Sequence, residues 1–327
     1  MPLHPQVQAH LERLAAVNFA DLHTFTPERA RLGMGRMAAQ LPAGESVRHV
    51  DDRSLPTDAG DVAVRIYRPS DDEALPVTVF FHGGGFVLGD LDTHDGLARA
   101  LANASNSVVI SVDYPLAPEH RYPAAPDAAY GATRWVAEHG PELDVDGARL
   151  AVAGDSAGGN LAAVVALRAR DEGGPDVALQ LLIYPDLDFR RSNFSVQEFA
   201  GRYGNISRPT QFWFMDNYLS SPDERLLPLV SPLLAPELAG LPTALIITAE
   251  YDALRDEGEQ YGARLEQAGV PVTVSRYDGM IHEFLRQPFD DSRKAIAEAG
   301  AAMREAFASV GPISEVRRSQ AADVSLR

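Results

Sequence analysis

Short apolar runs rich in β-branched residues alternate with helical stretches along most of the chain, and this alternation limits the fold more than any other feature. Eight runs have the length and composition of strands; they cover residues 46–51, 62–68, 76–81, 107–114, 149–154, 178–184, 243–249 and 270–277. Helical patterns lie between them, near residues 92–104, 124–139, 157–171, 253–268 and 290–309. Such an alternation predicts an α/β fold, with a mostly parallel eight-stranded sheet and helices on both faces.

Two regions interrupt the alternation. Residues 1–45 have a helical pattern before any strand, and residues 186–225 contain QFWFMDNYL without a strand pattern. We expect these regions to form a two-part helical cap over one end of the sheet. Residues 46–185 and 226–310 would then form the α/β core. Residues 311–327 are polar and aperiodic, and we expect this tail to fray.

Composition excludes several classes of function. The chain has 29 basic and 46 acidic residues, a net charge of −17, so neither nucleic acid nor an anionic membrane is an expected partner. The absence of cysteine excludes disulfides, thiolate metal sites and a cysteine nucleophile. We find no signal-peptide pattern and no apolar run of about 20 residues, which would be needed to span a membrane. These features predict a soluble cytoplasmic protein.

A serine set among glycines lies between the predicted strand at 149–154 and the predicted helix at 157–171, in the stretch AGDSAGG. Gly154, Ser156 and Gly158 form the pattern G-x-S-x-G. Between a strand and a helix this pattern is typical of a nucleophile elbow, where small flanking residues let the serine Oγ project alone. Chance alone gives the pattern in about one of nine such chains. The stretch also fits a glycine-rich turn with the serine as a helix N-cap.

A second motif, HGGG at His82 to Gly85, directly follows the buried strand at 76–81. Consecutive glycines allow backbone N–H groups to approach a ligand oxygen, which acyl transfer requires because its tetrahedral intermediate carries an oxyanion. About 0.005 occurrences are expected by chance. The alternative is a flexible surface loop. We interpret His82 as a residue that braces this loop.

A serine nucleophile needs a base and an acid that follow it in the order Ser, acid, His. His282, in the loop after the last predicted strand, is the only histidine after Ser156. Asp252 is the favoured acid because it lies in the turn just beyond the strand at 243–249. Glu250 is expected to be a structural partner, and we expect Asp256 and Glu257 to be solvated or to interact with the helix dipole.

The chain resembles the bacterial hormone-sensitive-lipase-like carboxylesterases of the α/β-hydrolase fold. The resemblance covers about residues 62–290 through IYRP, HGGGFVLGDLDTHD, VDYPLAPEHRYPAA, GDSAGGNLAA, SPLLAPELAGLPTALIITAEYDALRDEG and GMIH, and the GDSAG form of the elbow points to one branch of the family. It implies a serine esterase with an N-terminal helical cap and no metal or cofactor. It also implies an oxyanion hole formed by the N–H groups of Gly84, Gly85 and Ala157, with Gly83 shaping the loop.

This sequence departs from the family pattern at three positions. Arg is common where Pro115 stands, Pro where Ala253 stands, and a small residue where Glu283 follows the histidine. None of these positions belongs to the triad. Glu283 is expected to change the charge near the site.

These features predict a carboxylesterase that hydrolyses short-to-medium acyl esters, with a small-molecule ester as its partner. Hydrolysis of amides, lactones or specialised acetyl esters stays open. Another class is a receptor-like ligand-binding protein on the same fold, as in plant hormone receptors that resemble this family. The weaker pocket candidates are Gly83, Phe86, Val87, Trp213 and Phe214. The apolar strand at 270–277 is expected at the sheet edge, where it would pair with its own copy in a homodimer.

Overall fold

The computed structural model describes residues 2–17, 21–40, 44–204 and 206–310. Parts of the predicted N-terminal cap segment, at 18–20 and 41–43, lie outside these ranges, as does the predicted fraying tail at 311–327.

One sheet of eight strands organises the described chain, in the order β1-β2-β4-β3-β5-β6-β7-β8. The strands are β1 His49–Thr57, β2 Gly60–Arg68, β3 Leu75–Phe81, β4 Val108–Asp113, β5 Val145–Asp155, β6 Leu179–Ile183, β7 Thr243–Tyr251 and β8 Val272–Ile281. The pairs β1–β2 and β2–β4 are antiparallel, and all other neighbouring pairs are parallel. The predicted mostly parallel sheet is confirmed.

All eight predicted strands are present, but β1 runs six residues further than expected. The predicted strand ended at residue 51, whereas β1 continues to Thr57. Its side chains are almost all exposed, so no apolar alternation marks its second half. Proline has no backbone N–H to donate to a neighbouring strand. Pro56 is compatible with this position because β1 is an edge strand and has a neighbouring strand on one side only.

Nine α-helices lie in the described ranges: α1 Pro5–Val17, α2 Pro27–Ala38, α3 Asp95–Ser105, α4 Ala124–Glu138, α5 Ala157–Glu172, α6 Phe194–Phe199, α7 Arg208–Tyr218, α8 Arg255–Gln267 and α9 Asp290–Val310. Buried side chains of α4, α5 and α8 share one apolar cluster with the sheet, while those of α3 and α9 share another. Central β3 alternates between the two clusters: Val77, Val79 and Phe81 belong to the first and Phe80 to the second. The sheet is therefore covered on both faces, as predicted.

The helices before β1 and those between β6 and β7 contact one another. The backbone N–H of His23 donates to Thr210 Oγ1 of α7 at 3.3 Å. Arg31 of α2 donates to the carbonyl oxygens of Val87 and Ala117 at 2.8 and 2.7 Å, which ties α2 to the loop after β3. These contacts agree with a two-part cap, although the division of the chain into cap and core stays a prediction. Among the described helices, none has the length and apolar character to cross a membrane.

Candidate active site

The carboxyl ends of four parallel strands bring the predicted site residues to one edge of the sheet. His82 follows β3, Ser156 follows β5, Asp252 follows β7 and His282 follows β8. This edge is where open α/β sheets bind ligands. The strand order therefore brings together residues that are far apart in the sequence.

Ser156 occupies a sharp turn between β5 and α5. Its backbone has φ 55° and ψ −117°, a strained conformation for a residue with a side chain. The flanking glycines permit the turn, because a Cβ on Gly154 would overlap the carbonyl of Gly158, and one on Gly158 would overlap that of Phe81. Ser156 is the N-cap residue of α5 by position, but its side chain makes no capping hydrogen bond to the helix, so its hydroxyl group does not serve as the cap that the sequence left open.

The side chains of Ser156, His282 and Asp252 form one hydrogen-bonded chain. His282 Nε2 lies 3.0 Å from Ser156 Oγ, and His282 Nδ1 lies 2.8 Å from Asp252 Oδ2. The other oxygen of Asp252 accepts the backbone N–H of Leu254 at 2.9 Å, which fixes the carboxylate. The structure thus brings the predicted nucleophile, base and acid into contact.

The carboxylate of Asp252 determines the protonation of His282. Burial by itself lowers the pKa of the imidazole, but the charge and hydrogen bond of Asp252 outweigh it, with smaller contributions from Glu283 and Asp155, and raise the pKa to about 9. Glu283, one of the departures from the family pattern, also lies 3.3 Å from Arg286. The site therefore stabilises the imidazolium that general-base catalysis generates.

The other acidic candidates lie away from the histidine. Glu250 accepts the N–H of Gly279 at 2.7 Å, and Asp256 accepts that of Ser195 at 2.8 Å. Glu257 differs from the expectation of a solvated group: it is fully buried, and its Oε1 accepts the N–H groups of Leu187 and Asp188 at 2.6 and 3.2 Å. Its helix position suggested exposure, but the segment after β6 folds over it.

Burial and nearby acidic groups change the ionisation of Glu257. Burial is the largest cause and raises the pKa of its carboxyl well above the usual range, and the charge of Asp186 adds to the rise. Arg191 opposes it only in part. Through the hydrogen bonds that its carboxyl accepts, Glu257 ties α8 to the segment after β6.

The glycine loop after β3 lies at the same edge of the sheet as the serine. Gly84 and Gly85 have φ of 121° and 61°, values that strain other residues. Their N–H groups, and that of Ala157, donate to no backbone or side-chain group within the described ranges. These are the three donors that the family resemblance implies for an oxyanion hole.

His82 braces this loop from behind. Burial and the charge of His94 lower the pKa of His82 to about 4, so the ring is neutral at pH 7. Its Nδ1 lies 2.8 Å from the carbonyl oxygen of Gly83, which requires the proton on that nitrogen. The ring also stacks on Tyr114, with centroids 4.3 Å apart.

A cavity of about 1120 Å³ opens above the serine. Its wall includes Ser156, His282 and Asp252, together with Gly84, Gly85, Phe86 and Phe214 from the predicted set. The Phe214 ring lies directly on Gly85, where a Cβ would overlap it. The other pocket candidates, Gly83, Val87 and Trp213, are not among the described residues that line this cavity. Val87 is fully buried, and its carbonyl binds Arg31.

Several wall residues were absent from the sequence-based set, namely Leu22, Phe25, Met34, Phe189, Arg191 and Arg286. Most come from the cap helices and from the segment after β6. An apolar residue in such a segment has the same sequence signal whether it packs the core or lines a cavity. Only the spatial arrangement separates the two.

Asp186 and Arg191 add a buried ion pair to this wall, with nitrogen–oxygen distances of 2.8 and 2.6 Å. Among the described residues, no group of three or more histidine or acidic side chains has the arrangement needed for a metal ion.

Comparison with known proteins identifies the family. Residues 78–286 match a family described as having an alpha/beta hydrolase fold. Esterase LipI of Mycobacterium tuberculosis is 46% identical over 243 residues, which are 72% of this chain and 75% of LipI. An arylesterase of Saccharolobus solfataricus is 33% identical over 94% of this chain and 100% of its own length.

Solved structures agree with these sequence relatives. The hyperthermophilic esterase from Pyrobaculum calidifontis has a TM-score of 0.90 and 42% identity, covering 95% of this chain and 100% of that protein. A thermostable esterase from Pseudomonas putida has a TM-score of 0.91 and 40% identity, covering 94% of this chain and 98% of that protein. The chain therefore belongs to the α/β-hydrolase family, within the hormone-sensitive-lipase-like carboxylesterases that its motifs predicted.

Proposed function

We propose that this protein is a serine carboxylesterase that hydrolyses short-to-medium acyl esters through an acyl-serine intermediate. The observation that carries the proposal is the hydrogen-bonded chain from Ser156 through His282 to Asp252 at the wall of a cavity. The esterase relatives support the same reaction class. The GDSAG form of the elbow further favours the predicted branch of the family.

In acylation, Ser156 Oγ attacks the ester carbonyl while His282 Nε2 removes the serine proton. Asp252 holds the imidazole with its Nδ1–H toward the carboxylate and stabilises the imidazolium. The carbonyl oxygen becomes an oxyanion, which the N–H groups of Gly84, Gly85 and Ala157 bind. Collapse of this intermediate breaks the bond to the alcohol oxygen, and His282 gives that oxygen the proton.

In deacylation, the same groups act on water. His282 Nε2 removes a proton from a water molecule, whose oxygen attacks the acyl carbonyl of Ser156. A second oxyanion forms in the same hole. Its collapse releases the carboxylic acid and returns the proton to Ser156 Oγ, so the enzyme is regenerated.

The cavity wall supports a limit on acyl length. Phe86 is almost fully buried and stacks on Tyr218, with ring centroids 4.0 Å apart, while Phe214 covers Gly85. A long acyl chain would have to bend or leave past these fixed rings. The related ethyl acetate hydrolase of Pseudomonas putida, 38% identical over 88% of this chain and 93% of its own length, also favours a small substrate.

A panel of p-nitrophenyl esters from acetate to palmitate tests the substrate class, with a matched anilide and a lactone beside it. We expect the highest kcat/KM at short-to-medium acyl length, a decline for long chains and no activation at an oil–water interface. Faster turnover of the anilide or lactone would favour those hydrolases. Tight ester binding without turnover would favour a receptor-like protein.

We further propose that the protein forms a homodimer through β8. This strand ends the sheet and carries an exposed Val274, and an unpaired edge of this kind can pair with its own copy. Light scattering at micromolar concentration should give twice the 35.3 kDa chain mass; a monomer mass would contradict the pairing. The cytoplasmic location stays a prediction.

A further inference from the structure

A buried carboxylate that takes no part in the steps above lies directly behind the glycine loop. Asp155 precedes the serine at the end of β5 and has no exposed surface. Its Oδ1 accepts the backbone N–H of Gly83 at 2.9 Å. Its Oδ2 occupies the space where a side chain on Gly83 would begin, since a Cβ there would lie only 2.8 Å away.

His94, at the start of α3, faces the second oxygen of this carboxylate. His94 Nε2 lies 3.5 Å from Asp155 Oδ2, and both side chains are fully buried. His94 Nδ1 is held by Thr93 Oγ1 at 3.0 Å, which orients the ring. Neither His94 Nε2 nor Asp155 Oδ2 has a hydrogen-bond partner among the described residues, so the 3.5 Å contact between them is an ion-pair contact of two buried groups.

The surroundings keep Asp155 ionised despite its burial. Burial alone raises the pKa of this carboxyl, but the charge of His94, the charge of Arg286 and the hydrogen bond from the N–H of Gly83 together hold the pKa below the usual range. Burying an ionised carboxylate without partners costs free energy. Asp155 can therefore stay ionised in this position only because these neighbouring groups stabilise its charge.

Gly83 is consequently held at both of its peptide groups. Asp155 binds its N–H, and His82 Nδ1 donates to its carbonyl oxygen. Because a trans peptide is planar, the direction of the Gly83 carbonyl fixes the opposite direction of the Gly84 N–H. The two contacts together therefore set where the first donor of the glycine loop points.

We propose that Asp155, supported by His94, is a positioning residue of the oxyanion hole: it fixes Gly83 so that the N–H groups of Gly84 and Gly85 are aimed before the oxyanion forms. This inference rests on the proposed esterase function and adds a role for the residue before the nucleophile. Donors fixed in advance stabilise the oxyanion without reorganisation. Asp155 itself touches neither substrate nor reacting atoms.

The test compares Asp155→Ala, Asp155→Asn and His94→Gln with the wild type on p-nitrophenyl butyrate. Asp146→Asn is the matched control, because Asp146 is a buried, arginine-paired aspartate at the other end of β5. Two inhibitors are measured beside kcat and KM. A trifluoromethyl ketone forms an oxyanion on the serine, whereas a secondary alcohol of equal length does not.

We expect Asp155→Ala to lower kcat by about 10–100-fold, less than outright loss of a donor, and to change KM by less than about threefold. The Ki of the ketone should rise by the same factor as kcat falls, while the Ki of the alcohol stays constant. Asp155→Asn retains an oxygen for the Gly83 N–H and should recover most of the loss. Asp146→Asn should match the wild type.

A kcat of Asp155→Ala within about twofold of the wild type would overturn the proposal, as would equal weakening of both inhibitors. If thermal melting shows that Asp155→Ala does not fold, His94→Gln is judged by the same selective loss of ketone binding. An inactive wild type would contradict the esterase function. An active wild type with an unaffected Asp155→Ala would contradict only the positioning role.

Discussion

Asp252 Oδ2 lies 2.8 Å from His282 Nδ1, although the two residues follow different strands and are 30 positions apart. No other acidic candidate after β7 bonds to the histidine within the described chain. Asp256, four residues further on, instead accepts the backbone N–H of Ser195. Because the two carboxylates have different partners, substituting each one in turn distinguishes their roles.

Asp252→Asn should lower kcat by about 10⁴-fold, because an amide no longer holds the imidazole in the productive tautomer. Asp256→Asn should lower kcat by less than about tenfold. Steady-state kinetics on one ester measures both variants, and their melting temperatures confirm folding. Equal losses, or a larger loss at Asp256, would assign the acid to α8.

The rate should also depend on pH through His282. Only the neutral imidazole accepts the serine proton, and its pKa in the free protein is about 9. We therefore expect kcat/KM to rise with pH up to about 9. In Asp252→Asn the main group that raises this pKa has lost its charge, so the rise should move to lower pH while the maximum falls. An unchanged midpoint in the variant would contradict this account.

Much of the fold followed from sequence patterns, because strands buried on both faces must be apolar throughout. Edge strand β1 was placed less well, since its exposed residues carry no such pattern. The triad followed from the required chain order and from a single histidine after Ser156. The cavity wall did not, because Val87 and Phe86 are adjacent in sequence yet only Phe86 faces the cavity.

Substitutions of Glu257 test how much its hydrogen bonds to the segment after β6 contribute to stability. Glu257→Gln keeps an oxygen for the N–H groups of Leu187 and Asp188, so below pH 4.5, where the glutamic acid is also neutral, it should change the free energy of unfolding by less than about 1 kcal/mol. Glu257→Leu leaves both buried donors unpaired and should cost about 2–5 kcal/mol. Urea unfolding at constant pH measures the difference. Equal losses would show that these hydrogen bonds contribute little.

The same residue predicts a dependence of stability on pH. The pKa of Glu257 is raised above its ordinary value of 4.5 in the folded state. The contribution of Glu257 to the free energy of unfolding is therefore fully present below pH 4.5. It is lost as the pH rises toward the raised pKa, because the unfolded chain then releases a proton that the folded protein keeps. Relative to Glu257→Gln, the wild type should become less stable across that interval.

The N-terminal cap segment predicts an effect on both activity and folding. Deleting residues 1–35 removes α1, most of α2 and the contacts of Arg31 with Val87 and Ala117. We expect lower kcat/KM or a disordered protein, since one of two cap segments is gone. The single variant Arg31→Ala should lower kcat/KM several-fold, with Arg13→Ala as a control on α1. Full activity after the deletion, with efficient hydrolysis of long-chain triglyceride, would contradict the cap and pocket account.

The most direct test of the esterase proposal is the turnover of one short-chain ester by Ser156→Ala. The variant should fold, because alanine is smaller than serine and Ser156 makes no hydrogen bond to α5 through its side chain. Without the nucleophile, kcat should fall by about 10⁴–10⁶-fold, the loss typical of removing a triad member. A folded Ser156→Ala protein that keeps a tenth of the wild-type kcat would show that ester hydrolysis does not proceed through this serine.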